Sequence, residues 1–252
     1  MGQMPEALNA LVTGGGRGIG AVIAAALARA GMRVTILGRD KARLEARILA
    51  GDAAAHIVAD VADTGFEKIM AAAAADQAFD ILVNNAGAAI SAPFLKTGHA
   101  DFQRMLDVNL LGPVIATRAL LPGMIERKFG RVINIASTAA LKGYPYVSAY
   151  VTAKHGLLGF TRSLAVELAK TGVTVNAVCP GFTDTDMVDA GVQAIVAKTG
   201  RTAEAIRAEF IKTNPMGRLI APEEVADAVC FLARRESGSI TGSAIAVAGG
   251  EI

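Results

Sequence analysis

Short apolar runs alternate with amphipathic segments along almost the whole chain. The runs are rich in β-branched residues and apolar on both sides, which is typical of strands in a parallel sheet covered on both faces. The predicted strands are Ala7–Val12, Arg33–Leu37, Ala55–Ala59, Asp80–Val83, Arg131–Ile135, Thr174–Val178 and Ala244–Val247. The predicted helices are Ile19–Ala30, Lys41–Leu49, Gly65–Ala75, Ala100–Lys128, Ser148–Lys170, Thr202–Lys212 and Pro222–Ala233.

This alternation predicts an α/β fold, with residues 1–252 forming a single doubly wound, Rossmann-type domain. We expect a seven-stranded parallel sheet with helices on both faces, and ligands at the carboxyl ends of the strands. The segment at about 182–219 breaks the strand–helix rhythm directly after a strand end, where a lid over the site would lie. An ordinary helical excursion on the surface is the alternative for this segment.

Charge and hydropathy exclude several classes of protein. The formal charge of +2 is close to balance, so no nucleic-acid partner is indicated. The mean hydropathy of +0.42 is high, but no stretch approaches the roughly 18 uninterrupted apolar residues of a membrane helix. The opening Met-Gly-Gln-Met-Pro-Glu lacks the basic and apolar parts of an export signal, and both cysteines lie in apolar settings. We therefore expect a cytoplasmic protein without a membrane partner.

A glycine-rich turn, Thr13-Gly-Gly-Gly-Arg-Gly-Ile-Gly20, follows the first strand and opens the first helix. Gly14, Gly18 and Gly20 suit a tight turn, a close approach to pyrophosphate and a close helix–sheet contact. The helix that begins near Ile19 would direct its free N–H groups and positive dipole end at the phosphates. The turn therefore predicts a dinucleotide site.

The end of the second strand predicts which dinucleotide binds. Sites that prefer NAD usually place a carboxylate there, but this chain has Gly38 followed by Arg39, and Arg17 lies in the glycine turn. Two guanidinium groups suit a 2′-phosphate, so NADP(H) is preferred and NAD(H) remains possible. Solvated arginines paired with Asp40 are the alternative. Asp60, after the third strand, would accept a bond from the adenine amino group, or else cap a helix.

Tyr150 and Lys154 are four residues apart, so they share one face if Ser148–Lys170 is helical. Ketone reduction needs a proton donor for the developing alkoxide. An ammonium about 4 Å from the phenol would stabilise the phenolate by about 4 kcal/mol at an effective dielectric constant near 20, and so lower the pKa of Tyr150. Ser137, just beyond the fifth strand, would hold the carbonyl oxygen against the phenol. The alternative is that all three residues only pack, cap or face solvent.

Together these residues resemble the short-chain dehydrogenase/reductase family along essentially the whole chain. The matching pieces, besides the glycine turn and Ser137, are Asn84-Asn85-Ala86-Gly87, Asn109 in Asp-Val-Asn-Leu, Tyr150-Val-Thr-Ala-Lys154 and Pro180-Gly181. The stretch Pro180–Met187 and the ending near Ala248-Gly-Gly are similar to those of 3-oxoacyl-carrier-protein reductases and their acyl-CoA relatives. Asn134-Ile-Ala-Ser-Thr is similar to polyketide ketoreductases.

The resemblance implies roles for the matching residues. Tyr150 would be the general acid/base, Ser137 would orient the substrate, and Asn109 would hold a water of the proton relay. Lys154 would bind the nicotinamide ribose, and Thr185 would contact the carboxamide. The implied cofactor residues are Gly14, Arg17, Gly18, Ile19, Gly20, Arg39, Asp60, Val61, Asn85, Ala86, Gly87, Tyr150, Lys154, Pro180, Gly181, Thr183 and Thr185. A homotetramer is also implied.

The combined expectation is an NADPH-dependent oxidoreductase that reduces a ketone, most simply a 3-oxoacyl thioester carried on coenzyme A or acyl carrier protein. The first alternative is an NAD-dependent catabolic dehydrogenase of a hydroxyacyl-CoA or another secondary alcohol. A more remote alternative is a dinucleotide-binding regulator without chemistry. His56 and His99 have no second ligand at metal spacing, so no metal is predicted.

Overall fold

The computed structural model of the chain describes residues 7–252, and its strands form one parallel sheet. The strands are β1 (Asn9–Thr13), β2 (Arg33–Gly38), β3 (Ala55–Val58), β4 (Ile81–Asn84), β5 (Gly130–Ile135), β6 (Val173–Pro180) and β7 (Ala244–Val247). Their order across the sheet is β3-β2-β1-β4-β5-β6-β7. The predicted doubly wound sheet is therefore confirmed. The expectation of no export signal concerns residues 1–6, which lie outside the described residues.

Helices cover both faces of this sheet. They are α1 (Gly18–Arg29), α2 (Lys41–Leu49), α3 (Phe66–Asp76), α4 (His99–Leu106), α5 (Gly112–Glu126), α6 (Ser148–Glu167), α7 (Asp186–Thr199), α8 (Ala203–Lys212) and α9 (Pro222–Ala233). Neighbouring residues of β1 serve opposite faces, as the two-residue period of a strand requires. Val12 packs in the core beneath α1 and α9, whereas Leu11 packs in the core beneath α3 and α5.

The order of the strands fixes where a ligand would bind. β1 pairs with β2 on one side and with β4 on the other, so the chain winds outward from β1 in both directions. A crevice opens where the winding reverses, at the carboxyl ends of these strands. Thr13, Gly38 and Asn84 end β1, β2 and β4 at this edge, and Ile135 and Pro180 end β5 and β6.

The predicted long helix over Ala100–Lys128 is divided in the structure. A π-helical turn, Asp107–Leu111, separates α4 from α5. Gly112 begins α5 against the chain after β3, and a Cβ atom added there would lie 2.9 Å from Cβ of Val61. By length and composition alone the run His99–Glu126 would also suffice to cross a membrane. Here α5 packs on α3, and α4 packs on α6.

One helix was missed in the segment at 182–219. Sequence patterning predicted only Thr202–Lys212, but α7 precedes it and is terminated by Gly200, the residue after the helix, whose φ is +67°. Among the residues of α7 only Val192 is fully buried, so the helix lacks the apolar stripe from which a helix is recognised. The interpretation of this segment as a lid stays a prediction.

Candidate active site

The glycine turn after β1 is crowded enough to exclude side chains. Gly14 and Gly18 have φ values of +68° and +52°, in the left-handed region that favours glycine. A Cβ atom on Gly20 would lie 2.3 Å from the carbonyl oxygen of Gly14, so helix α1 begins directly against the turn. Gly18, Ile19 and Gly20 form the first residues of α1, whose free N–H groups therefore lie beside the turn.

Asn85 braces this turn from the end of β4. Its side-chain amide donates to the carbonyl oxygen of Thr13 at 2.9 Å and to that of Gly14 at 3.3 Å. In return, the Thr13 hydroxyl oxygen accepts from the backbone N–H groups of Asn85 and Ala86, both at 3.0 Å. The amide of Asn85 is thus used inside the protein, and we assign it to holding the turn rather than to contacting a ligand.

A cavity of about 690 Å³ lies beside the turn, along the carboxyl ends of β1 to β4. Its lining contains these predicted cofactor residues: Gly14, Arg17, Arg39, Asp60, Val61, Ala86 and Gly87. Two further arginines, Arg43 and Arg104, also line it. The glycine turn, the beginning of α1 and these cations together fit the phosphates of a dinucleotide.

The cationic rim of the cavity is partly neutralised by carboxylates. Arg39 Nη1 lies 3.3 Å from Asp60 Oδ2, and both side chains are largely exposed. The other Asp60 oxygen accepts from the Ala62 backbone N–H at 3.0 Å, so this side chain caps a turn and also pairs with Arg39. The partner of Arg39 is Asp60, and Asp40 instead caps α2 by accepting from the backbone N–H of Arg43 at 3.1 Å.

Arg43 was missed by sequence reasoning. It lies in the first turn of α2, and its Nε is 3.2 Å from Asp40 Oδ2. Its Nη1 also reaches Asp186, the first residue of α7, at 3.7 Å. Spacing was the available signal for Arg43. A helix capped at Asp40 places residue 43 in its first turn, and therefore near Arg39 at the end of β2. Arg104 had no such signal, because it lies in α4, far along the chain from the other arginines, and only tertiary packing places it at the cavity.

Tyr150 and Lys154 lie on one side of α6, facing the end of β5. Lys154 is buried, and its Nζ donates to the carbonyl oxygen of Ile135 at 2.8 Å and lies 5.7 Å from the centre of the Tyr150 ring. The Ser137 hydroxyl accepts from the Ala139 N–H at 3.1 Å and lies close enough to the Tyr150 phenol to offset part of the rise that burial causes in the pKa of that phenol. The three predicted catalytic side chains are therefore brought together.

These three residues adjoin the cofactor cavity. A Cβ atom added to Gly87, which lines the cavity, would lie 3.8 Å from Lys154 Nζ. The amine thus stands at the boundary between the cavity and the phenol. A group bound along the cavity and reaching past Gly87 would come against Lys154, Tyr150 and Ser137 in turn.

Burial perturbs both members of the phenol–amine pair. It lowers the pKa of the Lys154 ammonium to about 8, and the neighbouring Cys179 thiol opposes part of this fall. It raises the pKa of the Tyr150 phenol, and the hydrogen bond with Ser137 opposes part of that rise. The expected fall in the pKa of Tyr150 is therefore wrong for this structure, in which the net shift of that pKa is upward. Desolvation disfavours the charged form of each group and is the largest cause of both shifts.

Asn109 lies in the π-helical turn and is fully buried. Its side-chain amide donates to the carbonyl oxygens of Ala88 at 2.9 Å and Met105 at 3.1 Å, and its Oδ1 accepts from the Ala88 N–H at 3.3 Å. The side chain therefore fixes the segment after β4 to α4. Its role in holding a water stays a prediction.

A buried polar ladder beneath the site was not recognised from the sequence. The Asn84 amide donates to Asn134 Oδ1 at 2.9 Å and to the Thr117 hydroxyl at 3.2 Å. The Asn134 amide donates to the Thr161 hydroxyl at 2.8 Å. These bonds join β4, β5, α5 and α6, and so set how the helix that carries Tyr150 sits on the sheet.

The segment after β6 approaches the glycine turn from the other side. Pro180 ends the strand, and the Thr183 hydroxyl donates to the carbonyl oxygen of Gly181 at 3.0 Å. Thr185 precedes α7, and its Cγ2 would lie 3.7 Å from a Cβ atom added to Gly18. These four predicted cofactor residues run along the same edge, although the cavity of about 690 Å³ is lined by other residues.

Three of the basic residues in the segment at 182–219 are held by carboxylates. Arg201 pairs with Glu209, and Arg207 pairs with Asp184 and Asp189. The third, on the chain after α8, forms a two-bond pair with a glutamate at the start of α9: Arg218 with Glu224. These three arginines are paired with carboxylates and none of them lines the cavity of about 690 Å³, so the structure gives no support for a phosphate site built from them.

Comparison with known proteins gives a consistent result. The sequence profile of the short chain dehydrogenase family matches residues 8–196. An acetoacetyl-CoA reductase of Shinella zoogloeoides is 40% identical over 244 residues, which cover 96% of this chain and 97% of that protein. A 3-oxoacyl-[acyl-carrier-protein] reductase of Aquifex aeolicus is 39% identical over 250 residues, covering 95% of each chain.

A solved structure shows the same similarity over the whole fold. The crystal structure of a tryptophan-substituted variant of actinorhodin polyketide ketoreductase with NADPH superimposes with a TM-score of 0.92. The two sequences are 32% identical, and the match covers 98% of each chain.

Proposed function

The chain belongs to the short-chain dehydrogenase/reductase family, and we propose that it reduces a ketone to a secondary alcohol with NADPH. The observation that carries the proposal is the convergence of Ser137, Tyr150 and Lys154 at the carboxyl edge of the sheet, next to the cavity lined by Gly87. This is the arrangement that proton delivery to a carbonyl oxygen requires.

Each of the three side chains has a distinct task in this proposal. Ser137 donates a hydrogen bond to the carbonyl oxygen and keeps it beside the phenol. Tyr150 gives its proton to that oxygen as negative charge develops on it. Lys154 is mostly protonated at neutral pH, since its pKa is about 8, and its charge favours the phenolate that proton transfer leaves behind.

NADPH suits the cavity better than NADH does. The nicotinamide cofactor supplies the hydride, and the glycine turn with the beginning of α1 would hold its pyrophosphate. Arg17, Arg39 and Arg43 line the cavity, and Arg39 follows Gly38 at the end of β2, where an NAD-preferring site usually has a carboxylate for the ribose 2′-hydroxyl. Three guanidinium groups offer a 2′-phosphate several charge-assisted hydrogen bonds.

We propose a 3-oxoacyl thioester as the substrate class. The names of two relatives, an acetoacetyl-CoA reductase and a 3-oxoacyl-[acyl-carrier-protein] reductase, support it. The proposal rests on the carbonyl chemistry and not on recognition of a carrier phosphate by Arg201, Arg207 or Arg218. We also propose a homotetramer, as the family resemblance implies, and a cytoplasmic location, as the sequence composition leads us to expect.

Turnover of acetoacetyl-CoA by the purified protein tests this function. NADPH consumption should be rapid, and Tyr150→Phe should reduce kcat by about 10²- to 10⁴-fold. Tyr146→Phe is the matched control, since this phenol is largely exposed and should be dispensable. Oxidation of 3-hydroxybutyryl-CoA with NAD in preference to NADPH-driven reduction would favour the catabolic alternative. Full activity of Tyr150→Phe would refute the proposed proton donor.

A further inference from the structure

The next-to-last residue of the chain reaches the substrate side of the site. The Glu251 carboxylate is only 2% exposed, although most carboxylates lie at the surface. Its Oε1 accepts a short hydrogen bond from the Tyr144 phenol and lies 3.1 Å from Lys142 Nζ. Lys142 Nζ also donates to the Glu251 carbonyl oxygen at 3.2 Å. The tail is thereby joined to the loop between Ser137 and Tyr150.

The hydrogen bonds continue from the tail to the catalytic serine. The Tyr144 phenol oxygen lies 2.6 Å from the Thr138 hydroxyl. A phenol has a single proton and the carboxylate accepts it, so the Thr138 hydroxyl must be the donor to the phenol oxygen. Thr138 follows Ser137 directly and begins the short 3₁₀ turn Thr138–Ala140, which the Ser137 side chain caps. A chain of bonds thus runs from Glu251 through Tyr144 to the turn that holds Ser137.

The Tyr144 ring also forms part of an aromatic wall. It meets the Phe182 ring edge to face, with ring centres 6.4 Å apart. Phe182 stacks on Phe210 of α8, with ring centres 4.4 Å apart. Phe182 follows Gly181, so this wall joins the Ser137 loop to the end of β6 and to the segment at 182–219. The orientation of Tyr144 therefore affects both the Ser137 loop and the segment at 182–219.

The second carboxylate oxygen shows that packing alone does not explain Glu251. Among residues 7–252, Glu251 Oε2 has no hydrogen-bond partner although it is buried. It lies against Gly181, where an added Cβ atom would be 3.0 Å away. A buried carboxylate with one unsatisfied oxygen costs free energy that an apolar side chain would not. This cost suggests that the Glu251 carboxylate has a role other than packing.

We propose that Glu251 is a positioning residue for reduction: it fixes Tyr144, and through Thr138 it fixes the Ser137 turn and the aromatic wall of the substrate cleft. This inference rests on the proposed function, because Ser137 orients the substrate carbonyl. Glu251 itself touches none of the reacting atoms. It acts on the geometry of the groups that do.

Hydrogen exchange of the free protein tests the contact without any turnover. Glu251→Ala should speed amide exchange at least tenfold in the 138–146 segment, where Lys142 N–H donates to the Thr138 carbonyl oxygen, and leave the central strands unchanged. Glu251→Gln keeps an acceptor for Tyr144 and should restore most of the protection. Glu67→Gln, at an exposed carboxylate on α3, is the matched control and should behave as wild type.

Steady-state kinetics with acetoacetyl-CoA and NADPH test the consequence. Glu251→Ala should lower kcat by about ten- to a hundredfold, because misplacement of a catalytic group by about 1 Å costs up to about 10²-fold in rate. Its KM for NADPH should stay near the wild-type value, since Glu251 does not line the cavity that contains Arg17 and Arg39. Glu251→Gln should fall between the two proteins. Tyr144→Phe should show the same defect as Glu251→Ala.

Each outcome counts for or against the inference. Faster exchange confined to the 138–146 segment, together with a fall in kcat, would support it. Exchange in Glu251→Ala equal to that of wild type would overturn it, and so would an unchanged kcat. If wild type reduces no ketone, the proposed function fails, and positioning for reduction fails with it, whereas localised faster exchange would still establish the contact between tail and loop.

Discussion

Replacing Lys154 with methionine should make the folded protein more stable near neutral pH and remove its activity. Lys154 is buried, and in the part of the chain that the structure describes its ammonium has no carboxylate within ion-pair distance. Methionine has a similar length, fills the same space and carries no charge. The activity is lost because the amine that favours the phenolate is gone.

The size of the effect follows from two opposing contributions. Burial lowers the pKa of the ammonium from 10.5 to about 8, which corresponds to about 3 kcal/mol spent on holding the charge at pH 7. Methionine removes that penalty but also removes the 2.8 Å hydrogen bond from Nζ to the Ile135 carbonyl oxygen. A bond with a charged donor contributes about 1.5–3 kcal/mol. The net expectation is a gain of up to about 2 kcal/mol in the free energy of unfolding.

The pH dependence isolates the charge from the hydrogen bond. Lys154 binds its proton more weakly in the folded chain, so between pH 8 and 10.5 the unfolded chain carries more protons. Below pH 8 the folded protein carries the full free-energy penalty of the buried ammonium. This penalty disappears as the pH rises from about 8 to 10.5, so wild type gains stability over that range. Methionine does not titrate. Its advantage over wild type should shrink by about 2 kcal/mol from pH 7 to about pH 9.5.

Urea unfolding at the two pH values measures this difference. Lys170→Met is the matched control, because this lysine is exposed just beyond the end of the same helix and its removal should give no such trend. Burial raises the pKa values of Tyr150 and Cys179, so both groups stay protonated in the folded wild type and variant up to about pH 9.5 and add little to the difference. A difference between variant and wild type that stays constant with pH would show that the amine is not desolvated, and would refute the reasoning.

Three other predictions follow from the same geometry. Arg39→Ala should raise the KM for NADPH about tenfold and leave the KM for NADH nearly unchanged, as parallel kinetics with both cofactors would show. Asn134→Leu should lower the free energy of unfolding by about 2–3 kcal/mol in urea, because it removes partners of Asn84 and Thr161 inside the core. Cys179 should resist iodoacetamide at pH 8 until the protein is unfolded, because burial raises the pKa of its thiol to about 11; rapid labelling of the folded protein would contradict this.

Local spacing explains why part of the site was predictable. Tyr150 and Lys154 share a helical face whatever else the fold does, and the glycine turn follows a strand and opens a helix. The sheet was predictable for the same reason, because each strand is a short two-sided apolar run between helices. The ends of the elements were predicted less well, and α7 was missed because Val192 is its only fully buried side chain.

Contacts between distant residues could not be read from the sequence. Tyr144 and Glu251 are 107 positions apart, and no period links them. The bond from Asn84 to Asn134 depends on the register of β4 and β5, which pairs those two residues. The pKa of Tyr150 was predicted in the wrong direction because desolvation depends on the atoms that surround a group, and these are set by packing.

The distribution of polar groups around the site argues that its charge serves chemistry. Asn84, Asn134 and Thr161 are buried too, but they are neutral. Asn84 donates to Asn134, and Asn134 donates to Thr161, so the ladder holds α6 to the sheet without burying a charge. Lys154 holds the same helix to β5 through one hydrogen bond to Ile135, and a neutral donor would do that without the penalty of a buried ammonium. Side chains selected only for stability would extend the neutral ladder to this position. A buried ammonium beside a phenol lowers the stability of the fold. In return it favours the phenolate of Tyr150, which can then carry a proton at the end of the cofactor cavity.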